Sequence, residues 1–366
     1  MSVPVSISWK FEDILALSFV RGLTAVTLRS LVEKYSSLEE LFEKPPETKV
    51  GQRLLQNDLF VNSGLNALRN EADKQIELCR RQAIQIISFW DNDYPDLLRQ
   101  IPFPPALLFV RGKLHSDKDS IGIVGTRLCT NYGKLTTERF AEIFAKNSVI
   151  VTSGLANGID SIAHKTVVNT GGITYAIIAS GIDCISPQLS AKLAQQISEN
   201  GAVISEYRCG IRALPAYFPQ RNRIISGLSR AVVVVESGLK GGALITAQFA
   251  ADQSRELFAV PGSITSEKSL GTNKLIRKNM AIIALSPEDV LEELGILSIA
   301  KPTKEAVTFN HEIEKRIYET ISFEPIQMDT LAELLKLSPQ DIMVNLLMLE
   351  FRGLIRQLAG KQFIRL

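Results

Sequence analysis

The sequence predicts an α/β protein whose core is a doubly wound parallel sheet, Rossmann-like in the broad sense. Two observations predict this class. Runs of apolar, mostly β-branched residues recur through the middle of the chain, and helix-length segments lie between most of them. Runs that are apolar throughout, rather than alternating, are typical of strands that crossover helices bury on both faces. The strand candidates are residues 121–124, 149–152, 173–178, 202–205, 231–235, 257–260 and 280–284.

Residues 1–85 precede this core and are predicted to form an N-terminal helical domain. Apolar residues three and four positions apart predict short helices at 11–17, 27–34 and 38–42, and a longer helix at 69–81. Residues 20–25 look like a helix-hairpin-helix remnant, a motif that grips a DNA backbone through two glycines. Of that pair only Gly22 is present, so DNA contact through this hairpin is not expected.

The core domain is predicted at residues 86–297, after a strand at 84–87, and it opens with a proline-rich strap at 91–113. Because proline fixes φ and removes a hydrogen-bond donor, the strap is expected to be ordered but irregular. A polar linker follows at 300–306. Residues 305–366 then show three helical patterns and a terminal hairpin, which is the plan of a winged-helix domain. Its candidate recognition helix, Pro339–Phe351, has no Lys or Arg, so reading of duplex DNA is not expected.

Length and composition exclude several classes of protein. With 366 residues, 45% hydrophobic and 22% charged, the chain resembles an average globular protein of two or three domains rather than a disordered or collagen-like one. No apolar run has the length of a membrane span, and no secretory signal is visible at the N-terminus, so a cytoplasmic location without a membrane partner is expected. The four cysteines are scattered and only three histidines accompany them, so neither a metal nor a cofactor is predicted.

The positive charge of the chain is concentrated in the core. The net charge is +2 overall, but residues 116–286 contain 18 basic and 12 acidic residues, a net charge of +6. A polyanionic partner is therefore expected to bind this segment.

Four motifs follow strand candidates, where the carboxyl ends of parallel strands gather ligands. The glycines let a backbone approach an anion closely, and arginines, lysines and helix starts attract it. Asp160 and His164 are four residues apart on one helix, so they could form an acid–base pair, or Asp160 could brace the loop. Arg221 and Arg223 could bind phosphate, or one of them could form an internal ion pair with Glu206 or Glu236. The candidate site residues are Gly125, Thr126, Arg127, Ser153, Gly154, Asn157, Gly158, Asp160, Arg221, Asn222, Arg223, Lys240, Gly241, Gly242, Thr246 and Lys274.

Together these motifs resemble the DNA-processing protein A family (DprA, also called Smf). The resemblance runs through YPDLL, IGIVGTR, SGLANGID, FPQRNRIISGLS, GGALITAQFA, FAVPG and GTNKLI, in that order, and covers nearly the whole chain. It implies an N-terminal domain of sterile-alpha-motif type and a C-terminal winged helix. It also implies a homodimer without catalytic activity that binds single-stranded DNA. Such a protein would load RecA recombinase onto incoming strands, against single-strand-binding protein, in natural transformation. The resemblance places the candidate residues in the family's strand-binding pocket, except Asn157, which departs from the family, and Lys240 and Lys274, which charge and location add.

The sequence departs from the family pattern at the pocket. Asn157 stands where the family commonly has arginine, and residues 241–247 stand where the family has SGSLITA, with the loss of two hydroxyls. Ser186 and Pro187 stand where the family has Tyr-Pro, so a base-stacking ring is missing. These differences predict weaker binding of the same kind.

An enzymatic alternative stays open. Nucleotide hydrolases of the lysine-decarboxylase-like, phosphoribohydrolase type have a related core and a PGG-x-GT-x-x-E motif before a helix. Here the turn at 240–246 has no preceding proline and no Gly-Thr pair, and Gln248 replaces a nearby carboxylate. Binding is therefore favoured over catalysis.

Overall fold

The computed structural model describes residues 8–20, 22–48, 51, 64–185, 190–297, 309, 311–358 and 360–365. The predicted linker at 300–306 and the departures at Ser186 and Pro187 lie outside the described residues. The chain divides into two compact units, Met1–Leu294 and Gly295–Leu366.

A nine-stranded sheet in the described residues organises the first unit. Its spatial order is β1-β2-β6-β5-β4-β3-β7-β8-β9; β1 and β2 are antiparallel to their neighbours, and β3 to β9 are parallel to one another. The doubly wound prediction is confirmed. The strands are β1 Ile84–Ser88, β2 Leu107–Gly112, β3 Ser120–Val124, β4 Ile150–Ser153, β5 Thr174–Ile177, β6 Ala202–Ser205, β7 Ala231–Val234, β8 Glu256–Ala259 and β9 Ile282–Ile283.

The proline-rich strap differs from the prediction. The sequence predicts an irregular strap at 91–113, whereas the structure has a short helix there, α5 (Asp96–Arg99), and the strand β2. The last proline of the strap is Pro105, so the backbone of the residues after it can form hydrogen bonds with neighbouring strands. Leu107 to Val110 are buried between β1 and β6, and this burial makes β2 an internal strand.

The chain reverses its direction across the sheet beside β3. From β3 it proceeds through β4 and β5 to β6, and it then returns to place β7 on the other side of β3. Right-handed crossovers put the helices of the two directions on opposite faces. The reversal makes the carboxyl ends of β3, β4 and β7 a topological switch point, where open α/β sheets bind their ligands. The crossover helices are α6 Asn131–Lys146, α7 Ile159–Thr170 and α8 Ala191–Asn200, then α9 Tyr217–Gly227, α10 Ala243–Asp252 and α11 Leu270–Arg277; α12 Pro287–Glu293 follows β9.

The N-terminal helices pack onto the core rather than standing apart. They are α1 Phe11–Leu17, α2 Ala25–Lys34, α3 Leu38–Glu43 and α4 Gly64–Arg81. Their apolar residues form one buried cluster with residues of β2, β5 and β6. Buried Asp13 on α1 and Arg69 on α4 form an ion pair of 2.6 Å within this layer. The predicted boundary between residues 85 and 86 therefore lies inside a single compact unit.

The second unit has the predicted winged-helix plan. Its elements are α13 Glu312–Thr320, β10 Ile326–Gln327, α14 Met328–Leu335, α15 Pro339–Phe351, β11 Ile355–Leu358 and β12 Gln362–Arg365, with strand order β10-β12-β11. Ser338 caps α15 by accepting a hydrogen bond from the Asp341 amide (3.1 Å). Of the helices in the described part of the chain, none combines the length and the apolar character that a bilayer crossing requires.

Candidate functional site

The predicted site residues meet at the carboxyl edge of the parallel sheet. Turns after β3, β4 and β7 lie side by side there, because β4 and β7 flank β3. Across this edge the exposed candidates are Arg127, Asn157, Lys240, Gly242 and Lys274. Others are buried beneath the surface: Ser153, Gly154, Asp160, Arg221 and Thr246.

Close packing of two turns explains the glycines after β3 and β4. A Cβ at Gly125 would overlap the side chain of Ile159, and one at Gly158 would lie 2.6 Å from the carbonyl oxygen of Arg127. Gly158 also has a φ of +80°, which other residues rarely adopt. The Ile159 amide donates to the Thr126 carbonyl (3.2 Å). These contacts fix the position of the turn that carries Arg127 relative to the sheet.

Arg127 is exposed, unlike Arg221 and Arg223, the other two candidate arginines. Its guanidinium lies 5.6 Å from the ring centre of Phe218, in the first turn of α9. A cation over an aromatic face is attracted by the ring and is held in one direction. The pair therefore fixes an exposed positive charge beside a partly buried aromatic ring. Sequence reasoning did not single out Phe218, although the aromatic residue beside two arginines in FPQRNR was a usable signal.

Arg221 and Arg223 are both engaged inside the protein. Arg221 is 4% exposed, and its Nη1 donates to the carbonyl oxygens of Gly154 (2.6 Å) and Ile177. Burial lowers the pKa of Arg221 to about 10, an effect that Asp160 opposes, so the group remains charged at neutral pH. Arg223 forms an ion pair of 2.7 Å with Glu206, one of the partners proposed for it from the sequence. Arg221 thus fastens α9 to the ends of β4 and β5; contact of either arginine with a ligand stays a prediction.

The acid–base interpretation of Asp160 and His164 is not favoured by their contacts. Asp160 Oδ2 accepts from the Gly154 amide (3.1 Å), and burial raises the pKa of this carboxyl. His164 Nδ1 instead lies 2.7 Å from the hydroxyl of Thr174. Burial lowers the pKa of His164 to about 3, which keeps the ring neutral. The geometry therefore supports the alternative in which Asp160 braces the loop.

The turn after β7 closes the other side of the crevice. Buried Glu236 accepts hydrogen bonds from the amide (2.9 Å) and the hydroxyl of Thr130, which caps α6. The Gly271 amide donates to the Ser237 carbonyl (2.8 Å) and joins the start of α11 to this turn. Lys240 and Gly242 remain at the surface ahead of α10, and Lys274 lies on α11. Among the described residues no group of three His, Cys, Asp or Glu side chains is placed to hold a metal ion.

These observations define a doubly wound α/β protein with glycine-rich turns and exposed cations at its switch point, and with a winged-helix unit. The family model described as DNA recombination-mediator protein A matches residues 85–295, and the DprA winged helix domain matches residues 301–361. The chain belongs to the DNA recombination-mediator protein A family.

Relatives and solved structures agree with this assignment. Protein Smf of Synechocystis is 30% identical over 96% of this chain and 98% of its own length. DNA processing protein DprA of Bacillus subtilis is 38% identical over 62% of this chain and 80% of its own length. The X-ray structure of DNA processing protein A from Streptococcus pneumoniae superposes with a TM-score of 0.61 at 31% identity, covering 77% of this chain and 97% of that one. DNA processing protein A from Helicobacter pylori, described for its single-stranded DNA binding mode, gives a TM-score of 0.53 at 28% identity, over 58% of this chain and 95% of that one.

Proposed function

We propose that this protein binds single-stranded DNA along the carboxyl edge of its sheet. The observation that carries the proposal is the exposed Arg127 guanidinium held over the ring of Phe218 at the switch point. A cation binds a phosphate, and an aromatic face stacks on an unpaired base. The single-stranded DNA binding described for the Helicobacter pylori relative supports the same ligand class.

The arrangement favours a single strand over a duplex. Bases within a duplex are stacked on one another and cannot lie on a protein ring without being unstacked. The core carries a net charge of +6 over residues 116–286, so binding is expected to weaken as salt rises and to show little sequence preference. The helix of the winged unit that would enter a major groove carries Asp341 and Glu350 and no basic residue.

The protein is further proposed to act as a cytoplasmic homodimer that loads RecA recombinase onto incoming strands in natural transformation and competes with single-strand-binding protein. The sheet supports dimerisation, because β9 is an edge strand with exposed apolar side chains at Met280, Ile282, Ile283 and Leu285. An apolar, unpaired edge is a template for pairing with another chain. Two copies joined there would bring two basic cores together.

No covalent step is proposed for this protein. Asp160 and His164 could have served as an acid and a base, but both are buried and each contacts a different residue. Asp160 contacts Gly154, and His164 contacts Thr174. The protein is expected to hold and present DNA while RecA performs the strand exchange.

Fluorescence anisotropy with a labelled oligo-dT strand and a matching duplex tests the proposal. At two salt concentrations, the protein should bind the single strand more tightly than the duplex and lose affinity as salt rises. Equal affinity for the two forms would contradict the stacking argument. Absence of binding at low salt, together with turnover of a nucleoside monophosphate, would replace this proposal by the nucleotide-hydrolase alternative.

A further inference from the structure

Two of the four cysteines meet where the N-terminal helices contact the core. Cys79 lies in the last turn of α4, and Cys209 lies in the loop between β6 and α9. Their Sγ atoms are 3.8 Å apart, although the two residues are 130 positions apart in the chain. Both thiols are free, and the residues are 1% and 5% exposed. Since a disulfide bond is about 2.05 Å long, the two sulfur atoms need to approach by about 1.8 Å to form one.

The surroundings of the two thiols differ, and they give the two sulfur atoms different roles. Buried Gln75, one helical turn before Cys79, donates its side-chain amide to the Cys79 Sγ at 3.6 Å. A hydrogen bond from the Cys209 thiol lowers the pKa of Cys79, against the effect of burial. The same hydrogen bond and burial raise the pKa of Cys209. Because the thiolate is the nucleophilic form of cysteine, Cys79 is the attacking sulfur of the pair and Cys209 is the resolving one.

A cavity beside the loop of Cys209 offers a small oxidant a way to the pair. The cavity has a volume of about 840 Å³, and Arg111, Asp183 and Cys184 contribute to its wall. The carboxylate of Asp183 accepts a hydrogen bond of 2.9 Å from the amide of Gly210, the residue after Cys209. The cavity wall is therefore joined directly to the loop that holds the second thiol.

We infer that Cys79 and Cys209 are a reversible modification site, at which a peroxide converts the two thiols into a disulfide. The Cys79 thiolate attacks one oxygen of hydrogen peroxide, the O–O bond breaks, and the leaving hydroxide takes the thiol proton to become water. Cys79 then carries a sulfenic acid. The Cys209 sulfur attacks that sulfur, the S–S bond forms and the S–O bond breaks, and the hydroxyl leaves as a second water with the Cys209 proton. Two electrons pass from the two thiols to the peroxide, and a small thiol reverses the step by exchange.

The disulfide would connect the N-terminal helices to the core covalently. The segment that it closes contains β1 to β6, because Cys79 precedes the first of these strands and Cys209 follows the last. A cross-link that closes so long a loop restricts the unfolded chain strongly. The N-terminal helices and the loop before α9 are thus fastened to each other under oxidising conditions and released when the pair is reduced.

Peroxide treatment of the full chain tests the inference. The protein is reduced with dithiothreitol, freed of it, and exposed to hydrogen peroxide. The free thiols counted in denaturant should fall from four to two. Trypsin digestion without reductant should release the peptide Gln75–Arg80 joined to the peptide Cys209–Arg212, and dithiothreitol should separate them. The urea midpoint of the oxidised protein should be higher by about 1 M and should return to its first value after reduction.

Cys79→Ser removes the attacking sulfur, so peroxide should no longer shift the urea midpoint. Cys129→Ser is the matched control: Cys129 is partly exposed before α6, and its loss should leave both the linked peptides and the shift as in the wild type. Unlinked peptides in the oxidised wild type, or a disulfide that joins a different pair, would overturn the inference, whether or not Cys79→Ser folds. These readouts do not involve DNA, so their failure would leave the proposed function intact.

Discussion

Replacing Arg127 by alanine removes the exposed cation on which the proposed DNA site depends. The side chain is exposed and its guanidinium lies over Phe218, so truncation opens no cavity in the core. An exposed cation–π contact contributes about 0.5–1 kcal/mol, and the free energy of unfolding should fall by no more than this. A loss of DNA-binding free energy larger than this therefore measures the contribution of Arg127 to the DNA site rather than a change in stability.

The effect on DNA binding has two parts. Loss of one phosphate contact lowers the slope of log K against log salt by about 0.7 for a single strand. Loss of the guanidinium also removes a planar group against which an unpaired base can stack, a contact worth no more than the about 1–3 kcal/mol per base of an aromatic ring. Together these changes predict that the affinity for oligo-dT falls about 10-fold at moderate salt.

Anisotropy titrations at several salt concentrations measure both parts. Arg127→Lys keeps the charge but not the planar guanidinium, so it should retain the wild-type salt slope with a weaker affinity. Arg139→Ala is the control, because Arg139 is exposed on α6 and pairs only loosely with Glu288 at 3.7 Å. An Arg127→Ala protein with wild-type affinity and salt slope would refute the assignment of Arg127 to the site.

Three further predictions concern the scaffold. Gly154→Ala places a Cβ against the buried guanidinium of Arg221, so urea denaturation should show a loss of about 1–3 kcal/mol in the free energy of unfolding; an unchanged midpoint would contradict that close packing. The folded-state pKa of His164 is lowered to about 3, whereas an unfolded histidine titrates near 6.5. Its contribution to stability is therefore complete above about pH 6.5 and falls by about 1.4 kcal/mol per pH unit below it, and His164→Asn should flatten the urea-unfolding profile between about pH 6.5 and 5. Ile283→Glu charges the exposed edge strand β9 and should convert the proposed dimer to monomer by light scattering; a dimer that survives would place its interface elsewhere.

The local sequence pattern was sufficient to predict most strands of the sheet and the plan of the winged-helix unit. Continuous apolar runs marked β3 to β8 because a strand buried on both faces needs apolar residues at successive positions. β9 is shorter than the predicted run at 280–284, since it pairs only with β8 and its two residues are exposed. β2 was not predicted, because the prolines before it indicate an irregular segment. The strand forms because its backbone pairs with β1 and β6, which lie outside the strap.

The roles of the arginines could not be separated from the sequence. Arg127, Arg221 and Arg223 are chemically alike, and each stands near glycines or a helix start. Their functions differ because their surroundings differ: one is exposed over Phe218, one donates to the carbonyls of Gly154 and Ile177, and one pairs with Glu206. Those partners are between 17 and 91 residues away in the chain, beyond the reach of any local pattern.

The sequence by itself determined the parallel strands of the core, the winged-helix plan, the family and the sheet edge at which the candidate residues lie. These properties follow from hydrophobic periodicity, turn residues and motif order, all of which are local in the chain. Only the tertiary structure decided which cations face solvent, and that Asp160 contacts Gly154 while His164 contacts Thr174. Burial and contact across the sheet depend on how distant segments pack, and side chains of one type acquire different charges, partners and access to ligand only when that packing is complete.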